Sequence, residues 1–240
     1  MCYPRDRVRL FHRNIKRIGM IRPPSREALR ASSGVPFRTG RNWTKADLFL
    51  WEQDGLRLVI KDYAPRPFWV RNTIGRFLVG RECAAYTRLS GIAGIPRFAG
   101  RIDPHAFAVG WVEGKELSSF RRGEVPASFF DRLLELLVVI HRAGVAHGDL
   151  HHRDILMDSQ GSPALVDFST AVLLQPGAGG IRCCLFEAAC TSDRRATLKQ
   201  KRRHAPQALN EEENHDLDQP PAWYRFGKGL RRLLGRGERR

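Results

Sequence analysis

One stretch of the chain, residues 147–172, concentrates the side chains best suited to chemistry and reads HGDLHHRDILMDSQGSPALVDFSTAV. It contains Asp149, Asp154 and Asp167 together with several histidines. Carboxylates held close together repel one another unless a cation joins them. Carboxylate oxygens combined with substrate phosphates are ligands that Mg²⁺ prefers. If the three aspartates meet, this stretch forms a site for a metal and a phosphate compound.

A predicted β-hairpin brings the aspartates together. Ile155–Met157 and 164–166 are short apolar runs, and the segment between them has the composition of a turn. Asp154 precedes the first strand and Asp167 follows the second, so both lie at the open end of the hairpin. Asp149 falls on the loop that leads into that end. We therefore expect three carboxylates at a single mouth.

The stretch resembles the catalytic core of protein-kinase-like phosphotransferases, in particular the branch of small bacterial lipopolysaccharide (Kdo/heptose) kinases and RIO-like kinases. Residues 147–151, HGDLH, match the catalytic loop of that branch, and 166–169, VDFS, match its DFG-like triplet. The resemblance implies that Asp149 is the base that positions the acceptor hydroxyl. It also implies that Asp154 and Asp167 hold Mg²⁺ or Mn²⁺.

Further landmarks of these kinases follow upstream in the right order. Lys61 ends a short apolar run and resembles the lysine that pairs with the ATP phosphates. Glu82 falls on the helix where these kinases keep the partner of that lysine. Trp111, Val112 and Glu113 resemble the hinge between two lobes, whose backbone meets adenine. The resemblance thus implies an ATP site built from these five residues.

Local sequence patterns predict the elements that position these residues. Alternating apolar residues on both sides of an Asp-Gly turn indicate a hairpin, and two apolar periodicities indicate helices, the second of them buried. The predicted elements are strands over 46–52, 56–61 and 106–112, helices over 74–90 and 126–144, a basic helix over 194–203 and an acidic loop or helix over 211–218.

Together with the resemblance, these elements predict an α+β, two-lobed protein-kinase-like fold. It has a small N-terminal β-sheet lobe and a reduced helical C-terminal lobe. The expected divisions are a basic arm over 1–39, a kinase-like domain over 40–220 with lobes over about 40–110 and 115–220, and a basic amphipathic tail over 221–240.

The sequence departs from the kinase pattern in four places. No GxGxxG motif precedes Lys61, because residues 38–45 contain only Gly40. Asp154 stands in place of asparagine, and Ser169 in place of the glycine of the triplet. These departures leave open a pseudokinase or a nucleotide-binding regulatory module. No APE-like segment follows Ser169, and the short remaining chain favours a sugar or lipid-linked acceptor over a broad peptide acceptor.

Charge is concentrated at the two ends of the chain. The sequence has 41 basic and 25 acidic residues, a net charge of +16. Residues 1–45 hold 12 basic and 2 acidic residues, and 221–240 hold 7 and 1, so the middle is neutral. Such termini suit an anionic membrane surface better than a nucleic-acid-binding face. With no apolar span, no secretory signal pattern and no CxxC pair among five cysteines, we expect a cytoplasmic protein, peripheral at the inner face of the membrane.

These observations predict an ATP- and Mg²⁺-dependent transferase that phosphorylates a hydroxyl group. A lipopolysaccharide core sugar or another envelope glycolipid is the first expected acceptor, and a protein serine the second. Besides the pseudokinase, two alternatives remain open. His147, Asp149, His151 and His152 imitate a transition-metal site of a hydrolase, and the basic arms could bind nucleic acid.

Overall fold

The computed structural model describes residues 22–31, 35–38, 45–53 and 55–219. Several sequence expectations concern residues outside these ranges. They are the loop around Gly40, Asp54 of the predicted turn, the first part of the basic arm and the basic amphipathic tail.

The N-terminal lobe is built on a sheet of five antiparallel strands in the order β1-β2-β3-β5-β4. Strand β3 lies at the centre, and its Leu58 and Ile60 are fully buried on one face. Because side chains alternate along a strand, Lys61 lies on the opposite face. The strands are β1 (Val35–Arg38), β2 (Asp47–Gln53), β3 (Leu56–Asp62), β4 (Phe98–Asp103) and β5 (Ala106–Gly110).

The sheet lobe begins ahead of the predicted boundary at residue 40. Strand β1 pairs with β2, and helix α1 (Arg26–Ala31) precedes it. Arg26 forms salt bridges with Asp62 at the end of β3 and with Asp103 at the end of β4, the latter at 2.6 Å. Ion pairing thus attaches Arg26 to the sheet, and strand pairing attaches Val35–Arg38, both within the segment 1–39 that the sequence predicts as a basic arm.

A long helical segment crosses this sheet and carries Glu82. It runs through α2 (Phe68–Val70), a π-helical turn (Arg71–Gly75) and α3 (Arg76–Arg88), whereas the sequence pattern predicts a helix over 74–90. At Gly75 an added Cβ would lie 3.0 Å from Cβ of Tyr63. Glycine therefore permits the close approach of this helix to the chain that leaves β3.

The C-terminal lobe is mainly helical and carries short strands at the cleft. The predicted hairpin is confirmed, with Ile155 opposite Leu165 and Met157 opposite Pro163. The elements of this lobe are α4 (Ala127–Arg142), α5 (Ile181–His204), α6 (Glu211–Asp218), β6 (Lys115–Glu116), β7 (Val145–Ala146), β8 (Ile155–Met157), β9 (Pro163–Leu165) and β10 (Val172–Leu173).

Helix α5 starts much earlier than the basic run 194–203 indicates. Its first turns place Ile181 and Leu185 in solvent, with side chains 79% and 59% exposed. An apolar stripe facing the core is the usual sign of a helix, but the N-terminal half of this helix buries only Phe186 and Ala189. The sequence pattern therefore misses its N-terminal half.

One apolar core joins the two lobes. Phe107 of β5, Tyr86 of α3, Phe130 of α4 and Phe168 after β9 all belong to it and are buried. The arrangement of an antiparallel sheet lobe and a helical lobe confirms the predicted two-lobed α+β architecture. Within the described ranges, no helix has the length and apolar character needed to cross a membrane.

Candidate active site

Lys61 bridges two carboxylates at the junction of the lobes. Its Nζ donates to Glu82 Oε2 at 2.6 Å and to Asp167 Oδ1 at 2.7 Å. Lys61 comes from the central strand β3, Glu82 from α3, and Asp167 from the segment after β9. The structure thus brings together three residues that the sequence places far apart. Lysine has a flexible side chain, and these two hydrogen bonds hold its positive charge in one position at the cleft.

Burial and pairing set the charges in this cluster. Burial raises the pKa of Glu82 to about 7, and Lys61 opposes that rise. Burial also disfavours the ionised form of Asp167, but the adjacent Lys61 ammonium outweighs it and holds that pKa well below its usual range. In the same way, Asp167 and Glu82 outweigh burial and keep the pKa of Lys61 well above its ordinary value. Lys61 and Asp167 are therefore both charged at neutral pH.

Asp167 adopts a strained backbone conformation. Its φ of 64° is the only positive φ of a non-glycine residue in the described part of the chain. Such strain persists only where the surroundings hold it. Here the next residue, Phe168, is fully buried and packs between Tyr86 at 5.3 Å and His147 at 5.1 Å between ring centroids. This packing directs the Asp167 carboxylate toward Lys61.

A buried aspartate on α5 fixes the loop that carries Asp149. Asp193 is fully buried. Its Oδ2 accepts the backbone N–H of His147 at 2.7 Å, and its Oδ1 accepts that of Gly148 at 2.9 Å. His141 Nε2 lies 3.1 Å from Oδ2. A carboxylate with three partners holds two consecutive peptide groups in place, immediately before Asp149.

Gly148 has no room for a side chain. Its φ is 85°, and an added Cβ would lie 2.5 Å from the carbonyl oxygen of Thr170. Gly123 has a similar φ of 87° with nothing within 4 Å of such a Cβ. We expect Gly148→Ala to lower the free energy of unfolding by about 1–3 kcal/mol more than Gly123→Ala, as measured by urea denaturation. Equal losses would show that only backbone strain matters at Gly148.

The remaining two aspartates occupy different surroundings. The Asp149 side chain is 39% exposed, and its Oδ2 lies 3.7 Å from Nε2 of His151. Asp154 Oδ2 accepts the backbone N–H of His151 at 3.0 Å. The Asp154 carbonyl also accepts the N–H of Val166 at 2.9 Å, which joins the two ends of the hairpin next to Asp167.

The described residues contain no large cluster of metal ligands. Among them, no three His, Cys, Asp or Glu side chains lie close enough together to hold a metal ion. The metal predicted from the sequence needs only Asp154 and Asp167, of which Asp167 pairs with Lys61 in this structure. The structure couples these two groups, because the charge of Asp167 contributes to the raised pKa of Asp154.

Asp154 and Asp167 still fit the ligand set of Mg²⁺ or Mn²⁺. Magnesium is usually held by one or two carboxylates together with substrate phosphates rather than by a cage of protein groups. The two carboxylates here repel each other, and a cation bound with the phosphates would relieve that repulsion. The donor set is thus consistent with a metal that arrives with its nucleotide.

The charge of Asp154 predicts a pH-dependent stability. Burial, with a smaller contribution from Asp167, raises its pKa to about 6 from an ordinary value of 3.8. Since the folded state binds this proton more tightly, stability falls as the pH rises between these values. At pH 8 we expect Asp154→Asn to have a free energy of unfolding about 1–3 kcal/mol higher than that of the parent protein, as measured by urea denaturation. That gain should shrink toward pH 4.5. A gain of the same size at both pH values would contradict this role of the carboxylate.

The segment predicted as a hinge connects β5 to β6. The backbone N–H of Trp111 donates to the carbonyl of Arg57 at 2.9 Å. The Arg57 guanidinium lies 4.9 Å from the centroid of the Trp111 ring. The exposed Glu113 forms a salt bridge with the same arginine, and Val112 is half-buried. The segment therefore lies between the lobes, as a hinge would.

The histidines of the predicted hydrolase site do not converge. His147 is buried, and its Nε2 lies 3.0 Å from the carbonyl oxygen of Val166. The His151 side chain is 64% exposed. His147 is used for packing against Phe168, so the HxDxHH string does not act as one ligand set.

The fold and the geometry of the cleft define a protein-kinase-like, RIO-like structure. Among solved structures, the chain is similar to the crystal structure of the Rio2 kinase from Chaetomium thermophilum, with a TM-score of 0.56 and 16% sequence identity. The match covers 85% of this chain and 75% of that chain. No protein-family model matches the sequence, and no curated protein matches it. The likeness shows the fold, a kinase-like arrangement of a sheet lobe and a helical lobe.

Three residues that support the site did not stand out in the sequence. Asp193 lies just outside the basic run that indicated α5, yet Ala189, Asp193 and Thr197 recur at every fourth position, and all three are buried. That spacing could have revealed a buried aspartate in need of donors. Tyr86 and Arg81 flank Glu82 on α3; Tyr86 packs against Phe168, and Arg81 donates to the carbonyl of Ser169. No sequence signal distinguishes Arg81 from other surface arginines.

Proposed function

We propose that this chain is an ATP- and Mg²⁺-dependent phosphotransferase that moves the γ-phosphate to a hydroxyl acceptor. The observation that carries the proposal is Lys61 bridging Glu82 and Asp167 at 2.6 and 2.7 Å. A largely buried lysine between two carboxylates on different lobes is suited to exchange one of them for an incoming phosphate. Glu82 would then keep the lysine in place, which would leave Asp167 available as a metal ligand.

In this proposal Asp154 and Asp167 would hold Mg²⁺, which would supply charge neutralisation for the nucleotide phosphates. Lys61 contacts the α- and β-phosphates, and the hinge at Trp111, Val112 and Glu113 meets adenine through its backbone. Phosphoryl transfer depends mainly on positioning and charge neutralisation. A fixed lysine and a fixed acidic pair supply both.

Asp149 is the proposed base. The acceptor oxygen forms a bond to the γ-phosphorus as the bond to the β–γ bridging oxygen breaks, and ADP leaves with that electron pair. Asp149 accepts the proton released by the hydroxyl group. Its partly exposed side chain is accessible from solvent, and Asp193 holds the peptide groups immediately before it.

The short chain between the site and α5 supports a small or lipid-linked acceptor. Only a 3₁₀ turn (Phe168–Thr170), strand β10 and a loop separate Asp167 from Ile181. A segment of this length offers little surface on which an extended peptide could lie. We therefore place an envelope glycolipid, such as a lipopolysaccharide core sugar, ahead of a protein serine.

The experiment that tests this function offers both acceptors at once. The full chain is incubated with γ-labelled ATP and Mg²⁺ or Mn²⁺, beside an envelope glycolipid extract and beside a generic protein substrate. We expect label in the glycolipid fraction, and no label with Asp149→Asn. Label in the protein fraction alone would support the proposed transfer reaction but identify a protein, rather than a glycolipid, as the acceptor.

The pseudokinase alternative gives a different result in the same assay. Asp154 in place of asparagine adds negative charge beside Asp167 and motivates that alternative. Nucleotide binding without transfer to either fraction would support a regulatory module and contradict the proposed transferase.

A further inference from the structure

Three large aromatic side chains project from the helix that carries Glu82. Phe68, Trp69 and Phe77 are 72%, 54% and 64% exposed. Single exposed apolar residues are common on protein surfaces, but a contiguous group of large rings marks an interaction site. These rings lie on one continuous helical segment, from α2 to the first turn of α3.

The π-helical turn between them aligns two of the rings. Trp69 and Phe77 are eight positions apart in the sequence. An α-helical turn takes about 3.6 residues, and a π-helical turn takes more, so this separation amounts to about two full turns. Trp69 and Phe77 therefore project from the same side of the helix. In an uninterrupted α-helix they would be offset by about 80° around the axis.

Arginines accompany the rings. The Arg71 guanidinium lies 5.7 Å from the centroid of the Phe68 ring, and that of Arg81 lies 5.0 Å from the Phe77 ring. Arg76 is exposed. Residues 63–81 contain no aspartate or glutamate. We call this surface the aromatic–arginine ridge; it consists of Phe68, Trp69, Arg71, Arg76, Phe77 and Arg81.

The arginines of the ridge lie outside the salt bridges of the described residues. Within the described ranges, Arg71, Arg76 and Arg81 form no salt bridge, although the charge of Glu82 acts on Arg81. Arg71 and Arg81 donate to backbone carbonyls, those of Ala64 and Ser169. The ridge thus combines guanidinium groups outside any described salt bridge with exposed aromatic rings.

We propose that the aromatic–arginine ridge binds the surface of an anionic lipid bilayer. Aromatic rings insert at the boundary between headgroups and acyl chains, and arginines beside them contact the lipid phosphates. Single-stranded nucleic acid also stacks on aromatic rings, but it follows a positively charged groove. The ridge instead lies on an outward-facing helix with rings more than half exposed, which favours insertion into a membrane.

The ridge adjoins the cleft. Arg81 contacts the carbonyl of Ser169, two residues after Asp167. A bilayer bound at the ridge would therefore lie beside the opening of the candidate active site. The proposal itself does not depend on phosphoryl transfer, because membrane binding is measured without nucleotide.

Co-sedimentation with lipid vesicles tests the ridge directly. The full chain is mixed with vesicles of phosphatidylcholine alone or of phosphatidylcholine with phosphatidylglycerol. We expect binding to the anionic vesicles, reduced about tenfold or more in the triple variant Phe68→Ser, Trp69→Ser, Phe77→Ser. The double variant Arg71→Gln, Arg76→Gln should bind about fivefold more weakly for each arginine removed. Arg81 is left unchanged because it contacts Ser169.

A matched control separates ridge binding from general surface hydrophobicity. Val138 and Val139 on α4 are 42% and 38% exposed, so Val138→Ser, Val139→Ser also removes exposed apolar area. We expect this control to bind like the parent protein. The basic termini are identical in every variant, so any loss reports the ridge alone.

The outcomes decide between the possible partners. Binding that the triple variant retains in full would overturn the proposal and assign membrane contact, if any, to the termini. Ridge-dependent binding of single-stranded RNA with no vesicle binding would overturn it in favour of nucleic acid. A blue shift of tryptophan fluorescence on anionic vesicles, reduced in Trp69→Phe while binding persists, would place the ridge within the bilayer interface.

Discussion

Replacing Asp149 by asparagine is expected to lower the turnover number for phosphoryl transfer by about 10²- to 10⁴-fold. The amide has the shape of the carboxylate but does not accept the proton of the acceptor hydroxyl at neutral pH. Nucleotide affinity should stay within about twofold, because Asp149 belongs to the acceptor side of the proposed mechanism. Steady-state kinetics with labelled ATP, together with calorimetric nucleotide binding, measure the two quantities separately.

The matched control for this experiment is Asp218→Asn. Asp218 lies at the end of α6, and its side chain is 69% exposed and pairs with Arg202. The same change of charge there should leave turnover unaltered. Turnover by Asp149→Asn at the parent rate would remove Asp149 from the role of base.

Replacing Asp193 by asparagine is expected to have the second largest effect. The amide offers one acceptor oxygen where the carboxylate serves the backbone N–H groups of both His147 and Gly148. An N–H group left buried without an acceptor costs about 1–3 kcal/mol of stability. Since the loop before Asp149 loses one of its two anchors, turnover should also fall by about tenfold to a hundredfold. Urea denaturation and steady-state kinetics measure the two effects.

Thr197→Val is the matched control for Asp193. Thr197 lies four residues further along the same helix and is fully buried. Its hydroxyl group has no hydrogen-bond partner among the described residues. Removing that hydroxyl should therefore not lower stability, since it removes an unpaired buried polar group, and turnover should stay unchanged. If both substitutions caused equal losses, general packing of α5 rather than the carboxylate of Asp193 would support the loop.

The parts of the fold with clear local patterns, or with a resemblance to kinases, could be predicted from the sequence. The hairpin of Ile155–Met157 and Pro163–Leu165 was predictable because two apolar runs flank a clear turn. The buried helix α4 was predictable because its apolar residues repeat with a helical period. The contact between Lys61 and Glu82 was predictable only from the resemblance to kinases. The two residues lie on different elements, and no local sequence pattern brings such residues together.

Contacts made by buried polar groups were harder to predict. Asp193 pairs with backbone N–H groups, which every residue but proline carries, so no sequence pattern names its partners. The direct hydrogen bond from Lys61 to Asp167 joins residues 106 positions apart, and no local pattern indicates it. The start of α5 was missed because its exposed Ile181 and Leu185 blur the short apolar face formed by the buried Phe186 and Ala189.

The boundary of the sheet lobe was missed for a related reason. Strand β1 (Val35–Arg38) is short and lies at the edge of the sheet, where pairing on one side suffices. Arg26, read as part of a basic arm, in fact pairs with Asp62 and Asp103. A basic residue within a basic segment gives no sequence signal that it forms ion pairs with carboxylates at the ends of two distant strands.

The most direct test of the site is the binding of ATP and adenosine to Lys61→Met. If Lys61 contacts the nucleotide phosphates, this substitution should weaken the binding of Mg²⁺–ATP by about tenfold or more. Adenosine, which has no phosphates, should bind both proteins equally. Binding of Mg²⁺–ATP that is unaffected by Lys61→Met would contradict a phosphate site at Lys61, Glu82 and Asp167.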